Sequence, residues 1–350
     1  MKVFIAGGGT GGHFYPAYSV SEELKSRGFQ IYYFGTNKGI EAKQELPSDK
    51  KFLFPITGVR GKNPLRAFFS ASKLFKTSLQ IAKIIKKESP NFCICFGGYA
   101  SLPLGIASII TRTPLFIHEQ NSIPSYTNRL LSKFAIKIFI TFEYSKKYFP
   151  EEKTLLTGIP VRNSIIDDLS IPKKKAREML GIDNRLTVLV FGGSQGSVKL
   201  SELALEVAKK MPEIQFILIG GKHFKKPEKL PENLIYYSYF NRMGLLYSVS
   251  DFVISRSGAS STYEILTAGK PALFVPFPYA VSDHQYYNVK WLEEKGLCIV
   301  KREDELDVER LKNIIINELT KGEQEKIKKF AIKNPQKVIV DRILDEINKK

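Results

Sequence analysis

The groups in this sequence best suited to binding anions lie in short glycine-rich stretches, each following an apolar run. Residues 7–12 read GGGTGG and formally contain G-x-G-x-x-G through Gly7, Gly9 and Gly12, with His13 directly behind. A dinucleotide site also needs an acidic residue about 20 positions further on to hold a ribose. Gly35, Thr36 and Asn37 stand there instead, which argues against NAD. A loop of this kind lets backbone N–H groups close on an anion at a helix N-terminus, and places His13 at its rim. FGGYAS at 96–101 and GGSQGS at 192–197 are two further glycine turns. Neither carries the lysine of a P-loop, so ATP hydrolysis of that type has no support. The three together predict a phosphate or diphosphate site.

Three polar clusters accompany them. HEQN at 118–121 follows the apolar run PLFI, which makes His118 and Asn121 candidates for a base and a ligand contact. RSGASSTYE at 256–264 follows DFVIS, and its Glu264 is a carboxylate that could accept from both hydroxyls of a ribose. DHQYYN at 283–288 leaves a third apolar run. No D-x-D occurs anywhere in the chain, and no Cys/His grouping has zinc-ligand spacing. Without paired carboxylates to hold a metal, the charge on a departing phosphate must be met by helix dipoles, N–H groups and an arginine.

The elements that would position these groups alternate. KVFIA, QIYYFG, KFLFPI, NFCICFGG, PLFIHEQ, KIFIT and KTLLTG read as strands separated by helical stretches. The pattern restarts with LTVLVFGGSQGS and continues through QFILIGG, LIYYSYF, DFVISRSG and PALFVPF. Such βαβα order predicts an α/β protein of two Rossmann-like domains, each a mostly parallel sheet with helices on both faces. Ligands of open α/β sheets bind at the carboxyl ends of the strands, so a cleft lined by glycine loops from both domains is expected. The break is expected within 157–172, giving domains at 1–160 and 161–350, with the last helix packing back on the first.

Composition is that of a globular chain of 350 residues, 43% hydrophobic and 25% charged. The net charge of +18 is uneven: +13 falls on residues 1–162. A basic half needs an anionic partner, whether nucleic acid, anionic lipid or a phosphorylated substrate. Residues 50–87 hold ten basic side chains and no acidic one. Leu65, Phe68, Phe69, Leu74 and Phe75 among them predict an element lying on an anionic bilayer, whereas Leu79, Ile81 and Ile84 are expected to pack inward. Residues 89–111 are uncharged and long enough to span a bilayer, but Gly97, Gly98, Pro103 and Gly105 predict a strand, a turn and a buried helix instead. The three cysteines read as buried thiols of a reducing compartment. Cys93 and Cys95 are expected on opposite sides of one strand, unable to bond.

The set GGTGGHFYPA, GGYAS, HEQN, PVR, GGSQG, RSGA…E and DHQ…N, in this order from Lys2 to about Asn288, resembles the MurG family of bacterial glycosyltransferases. The resemblance implies a GT-B fold. It also implies a metal-independent, inverting transfer of N-acetylglucosamine from UDP-N-acetylglucosamine to lipid I, forming a β-1,4 linkage. It implies no cofactor, and a peripheral place on the cytoplasmic face of the bacterial inner membrane. Thr10, Gly11, Gly12, Asn121, Arg162, Ser194, Ala259, Ser260, Ser261, Glu264, Gln285 and Asn288 would hold the donor, with Tyr239, Phe240 and Met243 at the uracil. Gly9, Gly98 and Tyr99 would meet the acceptor diphosphate. His13 is the first candidate for the base, since a histidine titrates near neutrality; Glu119 and His118 are the alternatives. Ile159, Ser261 and Val289 depart from the family's Asn, Thr and Ala. The competing readings are a diacylglycerol glycosyltransferase, a nucleotide-sugar epimerase and a nucleic-acid-binding protein. HEQN and GGYAS argue against the first. No recognition module or aromatic-basic sheet supports the last, so no nucleic-acid partner is expected.

Overall fold

A computed structural model describes residues 1–58, 63–193, 196–319 and 324–349. The chain divides into two compact units, Met1–Arg162 with Lys333–Lys350, and Asn163–Ile332. The first stretch ends at Arg162, inside the 157–172 segment and two residues past the boundary drawn at 160.

The first unit contains β1 (Lys2–Ala6), α1 (Gly11–Ser26), β2 (Gln30–Thr36), β3 (Lys50–Phe54), α2 (Pro64–Glu88), β4 (Phe92–Cys95) and α3 (Gly98–Thr111). It continues with β5 (Leu115–Glu119), α4 (Tyr126–Ser132), β6 (Lys137–Ile140) and β7 (Thr154–Leu156). The second contains α5 (Asn163–Leu169), α6 (Lys173–Leu180), β8 (Thr187–Phe191), α7 (Val198–Lys210), β9 (Gln215–Ile219), β10 (Leu234–Tyr237), α8 (Met243–Val249) and β11 (Phe252–Ser255). Then follow α9 (Ala259–Ala268), β12 (Ala272–Phe274), α10 (His284–Glu294), β13 (Ile299–Val300), α11 (Val308–Leu319) and α12 (Gln324–Lys328). The last helix, α13 (Pro335–Asn348), belongs to the first unit, where Ile339, Val340 and Ile343 enter the core beside α1.

Both sheets are parallel throughout, as near-continuous apolar runs such as KVFIA and TVLVF require when both faces are covered. Their strand orders are β3-β2-β1-β4-β5-β6-β7 and β10-β9-β8-β11-β12-β13. In each, the order reverses beside the opening strand, at β1/β4 and at β8/β11. Every strand read from sequence is present; the short β13, within the run LCIV, was not foreseen.

Three expectations are corrected. Cys93 and Cys95 lie in one core cluster with Phe4 and Ala6, because positions two apart on a strand share a face; both thiols are free. Cys298 is half-buried rather than buried. On α2, Leu74 is buried while Leu79 is exposed, the reverse of the sequence reading. The 3.6-residue period puts Leu74, Ser78, Ile81 and Ile85 on the core face. Leu65, Phe68, Phe75 and Leu79, at helical spacings of three, seven and four, form a second stripe facing solvent. Asn63 caps this helix by accepting from Arg66 N at 3.0 Å, and Pro64 opens it. Residues 89–111 form β4, a glycine turn and α3; no helix among the described residues is long and apolar enough to cross a membrane.

Candidate active site

In the first unit, the loops leaving the switch-point strands β1 and β4 lie side by side. Residues 7–12 turn from β1 into α1, which places His13 in the helix's first turn. Gly98, at φ +70°, opens α3 so close to His13 that a Cβ there would stand 3.2 Å from its Nε2. A side chain at Gly98 would be strained by that φ and would crowd the imidazole. The Tyr99 ring covers Gly9, 3.4 Å from where its Cβ would be. Gly9, His13, Gly98 and Tyr99 are therefore neighbours. Thr10 is exposed at the N-cap of α1 and makes no capping bond; Gly97 leaves α3 equally uncapped. Gly11 and Gly12 sit in the first turn, where amides have no partner within the helix.

The glycine loop is braced from behind. Glu41, fully buried in the 3-10 turn Ile40–Ala42, accepts from Gly9 N at 2.8 Å and from Thr36 N at 2.9 Å. Any Cβ at Gly8 would collide with its carboxylate. Tyr33 donates its hydroxyl to Gly7 O. The Gly9 N–H is therefore held by Glu41. No sequence signal marked Glu41, a single carboxylate in a polar stretch.

HEQN ends β5 and forms a buried polar chain. His13 Nδ1 meets Gln120 Oε1 at 2.8 Å, Gln120 Nε2 meets His118 Nδ1 at 3.0 Å, and His118 Nε2 meets Gly158 O at 3.0 Å. His118 is 0% exposed. Burial, outweighing its bond to Gly158, and repulsion from His13 push its pKa down to about 4. Glu119 is also fully buried; it accepts from Asn121 N at 2.9 Å, Ser125 N at 3.0 Å and Asn128 Nδ2 at 2.8 Å. Of the three candidate bases, only the half-buried His13 reaches the surface. Glu119 shapes the turn that carries Asn121, whose own carbonyl accepts from Ser145 Oγ at 2.9 Å. The Arg162 guanidinium stacks 4.3 Å over the Tyr15 ring on α1. Ile159 is core, where the family pattern has a polar residue.

In the second unit, β11 and β12 deliver the polar clusters. Gly258 caps α9 without a side-chain bond, so the amides of Ala259, Ser260 and Ser261 open its first turn. The buried hydroxyls of Ser257 and Ser260 have no partner among the described residues, an arrangement that an anion or sugar hydroxyl would complete. Glu264, half-buried on α9, accepts from Tyr247 Oη at 3.0 Å. Gln285 Oε1 accepts from Phe277 N at 2.9 Å. Asn288 is fully buried and donates to Ser257 O at 3.1 Å, so it holds the loop ahead of α9; Val289 beside it is core. Tyr239 is exposed, Phe240 packs on Tyr237 with centroids 4.7 Å apart, and Met243 opens α8. Ser194 lies outside the described residues.

Arg256 was not expected to matter. It is buried, paired with Glu303, and donates to Ser197 Oγ at 2.9 Å and to the Val275 and Pro276 carbonyls at 3.2 Å each. Ser197 in turn caps α7. Arg256 thus ties the β8 and β11 loops together. Among the described residues no three His, Cys, Asp or Glu side chains group to hold a metal ion.

Residues 3–140 match the glycosyltransferase family 28 N-terminal domain, and residues 187–343 the C-terminal domain of the same family. The chain belongs to glycosyltransferase family 28. Among its relatives is a UDP-N-acetylglucosamine--N-acetylmuramyl-(pentapeptide) pyrophosphoryl-undecaprenol N-acetylglucosamine transferase from Sulfurihydrogenibium sp. (strain YO3AOP1). It is 51% identical and covers 99% of this chain and 98% of its own. The transferase of the same name from Aquifex aeolicus (strain VF5) is 38% identical over 98% of this chain and 99% of its own. The crystal structure of Acinetobacter baumannii MurG superposes with a TM-score of 0.76 at 26% identity, covering 98% of this chain and 99% of that one. A Neisseria meningitidis UDP-GlcNAc 2-epimerase, at TM-score 0.68 and 17% identity over 99% of this chain and 100% of that one, shares the fold alone. The family 28 fold is thus the two-unit α/β architecture expected from the restarting strand pattern.

Proposed function

We propose that this enzyme transfers N-acetylglucosamine from UDP-N-acetylglucosamine to lipid I, the undecaprenyl-diphosphate-linked N-acetylmuramyl pentapeptide, and so makes lipid II for peptidoglycan. The observation that carries the reading is the near full-length, 51% identical relative named for that reaction. The transfer is a single displacement with inversion. His13 is the general base for the acceptor hydroxyl, a role supported by its being only half-buried where His118 and Glu119 are fully buried. Gly9, Gly98 and Tyr99 meet the acceptor diphosphate.

For the donor, the uncapped N-terminus of α9 and the hydroxyls of Ser257 and Ser260 support a diphosphate site made of backbone amides and a helix dipole, with no metal required. Glu264 binds the ribose, Tyr239, Phe240 and Met243 the uracil, and Gln285 the sugar. Thr10, Gly11, Gly12, Asn121, Arg162 and Ser194 keep the donor roles that the family pattern implies, while Asn288 acts through the loop it holds.

The enzyme works on the cytoplasmic face of the inner membrane, without a nucleic-acid partner. The exposed face of α2 supports this: Phe68 and Phe69 are 69% and 64% exposed beside Arg66, Lys73 and Lys76. Aromatic side chains flanked by cations suit an anionic interface. The deciding experiment follows radiolabel from UDP-N-acetylglucosamine into a lipid I analogue. Label recovered in the disaccharide lipid is expected. Conversion of the nucleotide sugar without acceptor, or no transfer, refutes the proposal.

A further inference from the structure

The polar chain behind His13 has a direction, and that direction follows from which of its atoms can only accept. Gln120 Nε2 stands 3.0 Å from His118 Nδ1 and also 3.1 Å from the His118 carbonyl. A carbonyl cannot donate, so the amide NH2 must face that side, and its oxygen must face His13. His118 Nε2 meets another carbonyl, that of Gly158, so Nε2 carries the hydrogen and Nδ1 accepts from Gln120. The same logic reaches His13: Gln120 Oε1 accepts, so Nδ1 carries the hydrogen. Nε2, beside Gly98, is left with the lone pair.

We infer that Gln120 is a positioning residue: anchored by His118 to the Gly158 carbonyl, it holds His13 in the Nδ1–H tautomer and presents Nε2 as the bare nitrogen toward the acceptor. This deepens the reading of His13 as the base and rests on it. In the transfer, His13 Nε2 takes the acceptor hydroxyl's proton as that oxygen bonds to the anomeric carbon. The bond from that carbon to the UDP oxygen breaks, and its electron pair leaves with UDP. The imidazolium so formed keeps its Nδ1–H on Gln120 Oε1, so no group in the chain has to turn over during the step. His118, buried and neutral, fixes the amide; its place is that of an orienting group and not of a proton acceptor.

The chain has only four histidines, which makes 15N NMR of the imidazoles in uniformly 15N-histidine-labelled, full-length protein practical, with each resonance assigned by single His→Gln variants. At pH 8, wild type should show opposite tautomers, His13 protonated on Nδ1 and His118 on Nε2. In Gln120→Leu, of similar volume, the His13 resonances should move toward the Nε2–H form, and kcat should fall roughly tenfold to a hundredfold with the donor KM little changed. The wild-type spectrum needs no variant of Gln120 and so stands even if Gln120→Leu folds poorly. An Nε2–H tautomer at His13 in wild type, or an unmoved His13 signal in folded Gln120→Leu, overturns the inference. A His13→Gln enzyme that keeps wild-type kcat removes the base role on which the inference rests, an outcome separable from the tautomer itself.

Discussion

Replacing Glu264 with Ala tests the donor site most directly. Its carboxylate is half-buried on α9 and oriented by the Tyr247 hydroxyl at 3.0 Å. If it accepts from both hydroxyls of the donor ribose, two hydrogen bonds to a charged group are lost. At roughly 1.5–3 kcal/mol each, and discounted for partial exposure, the loss is about 2–4 kcal/mol. That corresponds to roughly 30- to 700-fold in kcat/KM for UDP-N-acetylglucosamine. Tyr247→Phe removes only the orienting bond and should cost about 0.5–1.5 kcal/mol. The assay pairs each protein with the donor and with its 2′-deoxyuridine analogue. Wild type should prefer the ribose donor strongly, and Glu264→Ala should lose most of that preference. A folded Glu264→Ala that discriminates the two donors as wild type does would show that the carboxylate is not on the ribose, whatever its overall activity.

Three further outcomes are expected. Chelation by EDTA should leave the transfer rate unchanged; loss of activity restored by magnesium or manganese would refute the metal-free diphosphate site. Because burial holds His118 at about 4 against an ordinary 6.5, the unfolded chain binds a proton that the folded chain refuses between those values. Stability contributed by this site is therefore complete above pH 6.5 and is lost as pH falls toward 4, by about 3 kcal/mol at the limit. Urea unfolding of wild type minus His118→Asn should show that slope, and a flat difference would refute it. For the membrane face, changing Arg66, Lys73 and Lys76 together to Glu should sharply weaken co-sedimentation with anionic vesicles, at about 1 kcal/mol per lost cation before counting new repulsion; equal binding would remove α2 as the contact.

Much of this was legible in sequence because it depends on periodicity and on backbone-specific residues. Apolar runs such as KVFIA and TVLVF announce buried parallel strands, and glycines after them announce turns too tight for side chains. β13 escaped because two paired residues leave no period to detect. α2 was read correctly as amphipathic, yet Leu74 and Leu79 were assigned to the wrong faces: a helix with apolar residues on two stripes does not say which stripe meets the sheet. The error over Cys93 and Cys95 was one of strand geometry, not of missing information. At the site, Gln120 and Arg256 stood inside HEQN and RSGASSTYE without being singled out, and Glu41 stood in no motif. Each is defined by a contact between distant parts of the chain, Gln120 with His13, Glu41 with Gly9 and Arg256 with Ser197, and such contacts leave no local pattern.

Glu41 shows what that hidden layer does. An anion-binding loop at a helix N-terminus is usually credited to glycine flexibility and the helix dipole. Here a buried carboxylate stands behind the loop and takes the Gly9 amide and the Thr36 amide for itself. Its negative charge opposes anion binding at short range, so its place has to be justified by what it fixes. By occupying Gly9 N–H and excluding any Cβ at Gly8, it holds the turn in one conformation, and that conformation sets where α1 begins and where His13 lies. Gly11 and Gly12 then keep their amides open, since first-turn amides have no partner within the helix. The loop therefore divides its labour: the Gly9 N–H and the space at Gly8 go to an internal carboxylate that sets the geometry, while the first-turn amides of α1 have no partner within the helix. In the same way Gln120 spends its NH2 on His118 Nδ1 and the His118 carbonyl at one end, and its oxygen meets His13 Nδ1 at the other.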